Sequence, residues 1–235
     1  MRPPHDHAAA LARLAGLLAD PTRAAMCLAL LDQRAWTAGE LARHTGVAPS
    51  TATEHLTRLV QGGLLTQHRQ GRHRYLRLAD TRTAHLVETL AAHAAPGPGA
   101  APAPTLRRHR ADAALARART CYDHLAGHLG CAVTEAMTRQ GLLTQDTGFA
   151  LTRAGLAWFD EHGIALARGT RRPLARACLD WTERRPHLAG AAGAALCAWV
   201  LDSGWCQRVG SGRALRVTGP GRTALARLWD VHLPT

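Results

Sequence analysis

The stretch that decides the fold begins Thr37-Ala38-Gly39-Glu40-Leu41-Ala42-Arg43-His44 and, after Gly46, continues Pro49-Ser50-Thr51-Ala52-Thr53-Glu54-His55-Leu56-Thr57-Arg58-Leu59-Val60 to Gly62-Gly63. Thr37 and Glu40 stand at the spacing of a capping box, in which each side chain satisfies a backbone N–H of the other's residue. The short helix this opens is closed by Gly46, and Pro49 starts another at the position where a missing N–H costs nothing. Ala52, Leu56, Leu59 and Val60 recur at intervals of three and four, so the second helix buries one face. Leu64 to Arg69 and Tyr75 to Leu78 then read as two strands around a turn at Gly71. Two short helices joined by a glycine turn and followed by a basic hairpin make a winged helix-turn-helix.

Upstream, Leu11, Leu14, Leu17 and Leu18 lie at helical spacing, and Asp20-Pro21-Thr22 stops that helix and caps the next, which offers Ala25, Met26, Leu28, Ala29 and Leu31 for burial. Downstream, Asp80 to His93 is a closing helix with Leu86, Val87 and Leu90. Taken together, Leu18-Ala19-Asp20-Pro21-Thr22-Arg23, Glu40-Leu41-Ala42, Ser50 to Leu59, Gly63-Leu64-Leu65 and Gly71-Arg72-His73-Arg74-Tyr75-Leu76-Arg77-Leu78 resemble the ArsR/SmtB repressors over roughly residues 11–93. The resemblance implies a homodimer that pairs through its first and last helices and represses from an inverted-repeat operator. The family's own metal sites do not carry over. Glu40-Leu41-Ala42-Arg43-His44 holds no cysteine, and on the closing helix only His85-x-x-Glu88 remains.

Double-stranded DNA is the partner that the residues themselves point to. The first turn of a recognition helix enters the major groove, and here it offers Pro49, Ser50, Thr51 and Thr53, with His55 and Arg58 further along. Ser50 and Thr51 have a structural alternative as helix caps. In the wing, Arg69, Arg72, His73 and Arg74 cluster about the turn, placed for phosphates or the minor groove.

Ala94 to Thr105 is Pro, Gly and Ala with one Thr and no apolar period, and it divides the chain into a DNA-binding and dimerisation domain (1–94), a linker (95–105) and a C-terminal domain (106–235) expected to sense an effector. The expected fold class is mainly α with small β-hairpins, the C-terminal domain being mostly helical with wing-like repeats. Gly141-Leu142-Leu143-Thr144-Gln145 repeats Gly63-Leu64-Leu65-Thr66-Gln67, and a third version runs from Gly204-Trp205-Cys206-Gln207 to Thr218.

Two clusters in this domain are candidates for effector or metal binding. Arg107 to Arg139 reads as one long helix, which would put Cys121, His124, His128 and Cys131 on one stripe. Such a stripe is too long for four ligands on one ion, and leaves His124 and His128 as the best-spaced pair, with Cys121 or Cys131 as a third ligand. The second cluster is Cys178, Asp180, Glu183 and His187 around Trp181. A transition-metal ion is therefore one cofactor to test; redox-sensing thiols and plain core packing are the alternatives.

Composition sets the outer bounds. Of 235 residues, 46% are hydrophobic and 20% charged, enough to build cores. The net charge of +12 comes from 29 basic residues, all arginine, and favours a polyanionic partner. Upstream of the linker 11 arginines face 7 acidic residues and downstream 18 face 10, so the excess is not confined to the DNA-binding half. No apolar run reaches bilayer length and no signal peptide is apparent, so a cytoplasmic location with six reduced cysteines is expected. Val209-Gly210-Ser211-Gly212-Arg213 is not a phosphate loop, and no nucleophile signature is present. The chain reads as a regulator rather than an enzyme.

Overall fold

The computed structural model describes residues 4–71, 73–94, 113–146, 148–167, 169, 172–210 and 212–233. The expected linker, 95–105, lies outside them. The chain forms two compact units, Met1–Glu88 and Thr89–Thr235.

In the first unit, α1 (Pro4–Leu18) ends at a junction where Asp20 caps α2 (Pro21–Ala29) by accepting from the Arg23 N–H. A single 3-10 turn and the short β1 (Trp36–Thr37) lead to α3 (Ala38–Thr45). Both halves of the Thr37–Glu40 capping box are formed, and Gly46 ends α3 in the left-handed conformation at φ 71°. The recognition helix α4 (Pro49–Gln61) is followed by the wing strands β2 (Leu65–Gln70) and β3 (His73–Leu78), in an antiparallel sheet of order β1-β3-β2. The closing helix α5 (Thr81–His93) carries the chain past the end of this unit at Glu88. Met26, Leu41, Leu56, Leu59 and Leu76 are wholly buried, so the apolar faces of α2, α3 and α4 meet the wing in one core.

The second unit contains the same succession twice. The first pass is β4 (Arg119–Cys121), β5 (His124–Ala126), α6 (Gly127–Arg139), β6 (Leu143–Thr144), β7 (Ala150–Leu151) and α7 (Arg153–Glu161). The second is β8 (Arg176–Leu179), β9 (Pro186–Ala189), α8 (Gly190–Asp202), β10 (Cys206–Arg208), β11 (Leu215–Val217) and α9 (Gly219–Trp229). The wing-like repeat is thus real, and its local geometry recurs in all three copies. Gly63, Gly141 and Gly204 have φ of 75°, 70° and 68°. The next N–H in each case returns to a helix carbonyl, from Leu64 to Leu59, Leu142 to Met137 and Trp205 to Val200.

The long helix expected over 107–139 is not present. Residues 119–126 form a hairpin, because Thr120 and Cys121 suit a strand and Tyr122-Asp123 makes a two-residue turn with Tyr122 at φ 54°. The helix begins at Gly127, whose φ of 72° and close approach to the Ala116 carbonyl admit no side chain. Cys121 and His124 therefore stand on strands and only His128 and Cys131 on the helix, so the single stripe and the favoured His124–His128 pair are both corrected.

Each repeat is also sealed by a glycine on its second helix. A Cβ at Gly155 would lie 2.0 Å from the Leu142 carbonyl oxygen, and one at Gly221 2.1 Å from that of Trp205. Gly155→Ala is expected to lower the stability of this unit by about 1–3 kcal/mol through backbone displacement. Gly39→Ala, where nothing lies within 4 Å, should be neutral or slightly stabilising. Urea midpoints of the two variants compare them directly.

Candidate functional site

The first unit exposes the first turn of α4 and the wing. The α4 N-cap is Ala48, with no side-chain capping bond, so Ser50 and Thr51 are not spent on the cap and are exposed at the first turn. Thr53 is exposed with its hydroxyl donating to the Pro49 carbonyl at 2.9 Å, which leaves its oxygen able to accept. Arg58 is exposed. His55 is half-buried, its Nδ1 3.8 Å from Asp20 Oδ1 and 3.5 Å from the Arg23 guanidinium, so it faces the α1–α2 junction. In the wing, Arg69 and Arg74 are directly opposed across the two strands, and His73 is exposed next to them. Arg74 is half-buried, and burial, together with the charge of Arg69, lowers its pKa. Arg72 lies outside the described residues.

The second unit holds a buried cluster. Cys121 and His124 are cross-strand partners in the hairpin β4–β5, and Cys178 and His187 are cross-strand partners in β8–β9. One donor atom from each of the four falls within 4.8 Å of the other three. The two sulfurs are 3.7 Å apart, well beyond disulfide length, and the imidazole centroids 5.0 Å apart. None of the four is more than 3% exposed.

A carboxylate stands behind each imidazole. His124 Nδ1 is 3.2 Å from Asp123 Oδ1, and His187 Nδ1 is 3.5 Å from Asp180 Oδ2. Asp123 receives a bidentate clamp from Arg172 at 2.6 and 2.9 Å. Burial works to raise the Asp123 pKa, but the His124 and Arg172 hydrogen bonds and the arginine charge prevail and hold it at about 2. Asp180 accepts from Arg119 at 2.8 Å, from the Gly127 N–H at 2.7 Å and from Thr182, and these hold its carboxyl well below the usual range against the opposing effect of burial. Burial lowers the pKa of His187, favouring the neutral imidazole.

Cys27, Cys131, Cys197 and Cys206 are buried thiols pushed up to about 12 by desolvation. A separate cleft of about 350 Å³ is lined by Arg117, His128, Arg216 and Arg222 together with Val209 and Leu215.

A family model described as a helix-turn-helix domain matches residues 18–68. Over 226 residues the chain is 39% identical to the uncharacterized HTH-type transcriptional regulator YdfF of Bacillus subtilis (strain 168), a match spanning 95% of this chain and 98% of that one. This chain belongs to the HTH-type transcriptional regulators. The regulator is also 41% identical over 81 residues to the HTH-type transcriptional regulator CmtR of Mycobacterium tuberculosis, covering 34% of this chain and 68% of CmtR. Among solved structures, a homodimeric winged helix-turn-helix DNA-binding domain from Mycobacterium bovis, described as a possible ArsR-family regulator, is 30% identical over 37% of this chain and 81% of its own, with a TM-score of 0.33. The transcriptional repressor BigR of Xylella fastidiosa is 25% identical over 39% of this chain and 93% of its own, with a TM-score of 0.35.

The regulator's fold sorts the eight candidate effector residues into three groups. Cys121, His124, Cys178 and His187 converge. His128 and Glu183 leave the cluster and pair with each other at 3.3 Å, while Glu183 also accepts from Arg185 at 2.9 Å. Cys131 donates to the Arg185 carbonyl, and Asp180 supports His187 from behind. Sequence reasoning missed Arg119, Asp123 and Arg172. A signal for the arrangement does exist, since Cys-x-Asp occurs at 121–123 and 178–180 and His-Leu-Ala-Gly-x-x-Gly at 124–130 and 187–193. The unequal gap between Cys and His, two residues against eight, conceals it. No single helix among the described residues is long and apolar enough to cross a membrane.

Proposed function

We propose that this regulator is a dimeric repressor of the ArsR type, binding an inverted-repeat operator through residues 1–94, with its DNA affinity set by an effector at the domain beyond residue 105. The observation that carries the DNA reading is the wing. Arg69 and Arg74 face each other across the ladder, a like-charge pairing that disfavours the hairpin in isolation and is relieved by an anion between them. Exposed hydroxyls at the first turn of α4 supply base-edge contacts. Pairing through the first and last helices is supported by Leu11 and Leu90, which are 66% and 48% exposed on α1 and α5. Two features support an effector role for the second unit: the buried thiol–imidazole quartet and the arginine-lined cleft, the latter of a chemistry suited to an organic anion.

Selection of tight-binding duplexes from a random pool with the full-length chain tests the reading. It should enrich an inverted repeat with half-sites about one helical turn apart. Enrichment of a single unpaired half-site would remove the dimer, and recovery of no motif would remove sequence-specific repression altogether.

A further inference from the structure

We propose that Cys121, His124, Cys178 and His187 form a closed, four-ligand site for one zinc-type divalent cation per chain, tying the two repeats of the C-terminal unit together. Two thiolates and two imidazoles are the soft and borderline donors that zinc and its congeners take, and they exclude the hard oxygen-seeking cations. The spacing fits. Zn–S bonds of about 2.3 Å at tetrahedral angles separate two sulfurs by about 3.8 Å, and the observed separation is 3.7 Å. The widest donor pair, at no more than 4.8 Å, closes onto a metal with small side-chain movements.

The surroundings are those of a metal centre. Ligating histidines characteristically direct their other nitrogen to a carboxylate, which fixes the tautomer and raises ligand basicity. Here Asp123 and Asp180 occupy that position behind His124 and His187, leaving the Nε2 atoms for the cluster. Each aspartate is itself held by an arginine reaching across from the other repeat's side, Arg172 to Asp123 and Arg119 to Asp180. His187 supplies the independent observation. It is wholly buried, its Nδ1 faces Asp180 Oδ2 at 3.5 Å, and its Nε2, the atom turned to the cluster, has no hydrogen-bond partner among the described residues. A buried imidazole in that state is costly unless something coordinates it. The alternative grouping of Cys131, Asp180 and His187 is a poorer site, because Arg119 already neutralises Asp180 and the Cys131 sulfur donates to a carbonyl. With every ligand buried and four donors present there is no open position for substrate, so the site is of the structural or sensory kind rather than catalytic.

This inference deepens the effector reading and rests on it for regulatory meaning, but the site can be tested without DNA. The full-length chain, purified reduced and without chelator, should retain about one zinc per chain. Cobalt(II) in its place should show the visible bands of tetrahedral coordination with thiolate-to-cobalt charge transfer. Cys178→Ser and His187→Asn should lose the metal and with it the charge-transfer band, whereas His128→Ala and Cys131→Ala should retain both. Chelation of the wild type should lower its thermal midpoint and zinc should restore it, which decides the matter even if the ligand variants fail to fold. Less than a tenth of a metal per chain after incubation of the reduced protein with zinc, a native Cys121–Cys178 disulfide found by peptide mass spectrometry, or full metal content in a Cys121→Ser/Cys178→Ser variant would each overturn the proposal. A chain that holds zinc but binds DNA identically with and without it would leave the site standing and remove the metal as effector.

Discussion

Replacing Arg119 with Met is expected to lower the stability of the C-terminal unit by about 3–5 kcal/mol, the range for removing one member of a buried ion pair. Arg119 and Asp180 are both fully buried and 2.8 Å apart, and the guanidinium also donates to the Leu115 carbonyl and Thr182 and lies 4.7 Å from the Trp181 ring centroid. Methionine fills similar volume but leaves the carboxylate without its counter-charge. The remaining donors, the Thr182 hydroxyl and the backbone N–H groups of Gly127, Thr182 and Glu183, are dipoles and offset only part of the loss. Asp180→Leu on top of Arg119→Met should not restore stability, because it strands those three N–H groups. Urea unfolding followed by fluorescence is well suited to the test, since Trp158, Trp181, Trp199, Trp205 and Trp229 all lie in this unit. A loss below about 1 kcal/mol would show that the pair is no better than a surface ion pair.

The second large effect is expected at the wing. Arg69→Ala/Arg74→Ala should weaken binding to specific and unrelated duplexes alike, by roughly 10- to 100-fold at moderate salt, and reduce the magnitude of the log–log salt slope by about 1.8, the value for two lost phosphate contacts. The same variant should unfold no more readily than the wild type, because removing two opposed like charges relieves the hairpin. Lost affinity combined with unchanged or improved stability distinguishes a DNA contact from a structural role. Fluorescence anisotropy at several salt concentrations, with a thermal melt of the free protein, measures both quantities. An unaltered salt slope would sink the assignment.

The legibility of the two units follows from the range of the interactions that shape them. In the first, the decisive signals are local: Thr37 and Glu40 are three residues apart, Pro49 opens its own helix, and Gly46 closes its own. Each could be read without knowing what lay elsewhere. In the second, the Gly-Leu-Leu-Thr-Gln identity revealed the repeat for the same reason. The hairpin at 119–126 escaped because Cys121, His124, His128 and Cys131 satisfy a helical period by coincidence, while what delays the start of the helix to 127 is a left-handed Gly127 pressed against the Ala116 carbonyl. The quartet escaped because Cys121 meets Cys178 across 57 residues, and no periodicity records a tertiary contact.

The two repeats grip each other reciprocally. A Cβ placed on Gly130 would stand 3.7 Å from that of His187, and one on Gly193 3.2 Å from that of His124, while α6 packs on β9 and α8 on β5. Reciprocal contacts of this kind are what a twofold axis imposes on separate subunits. Half of this domain, as a free-standing polypeptide, would have to find a sister molecule to complete the quartet, and its occupancy would fall with dilution. Joined in one chain, the halves meet at any concentration, and the two need not be identical: two residues separate Cys from His in one and eight in the other.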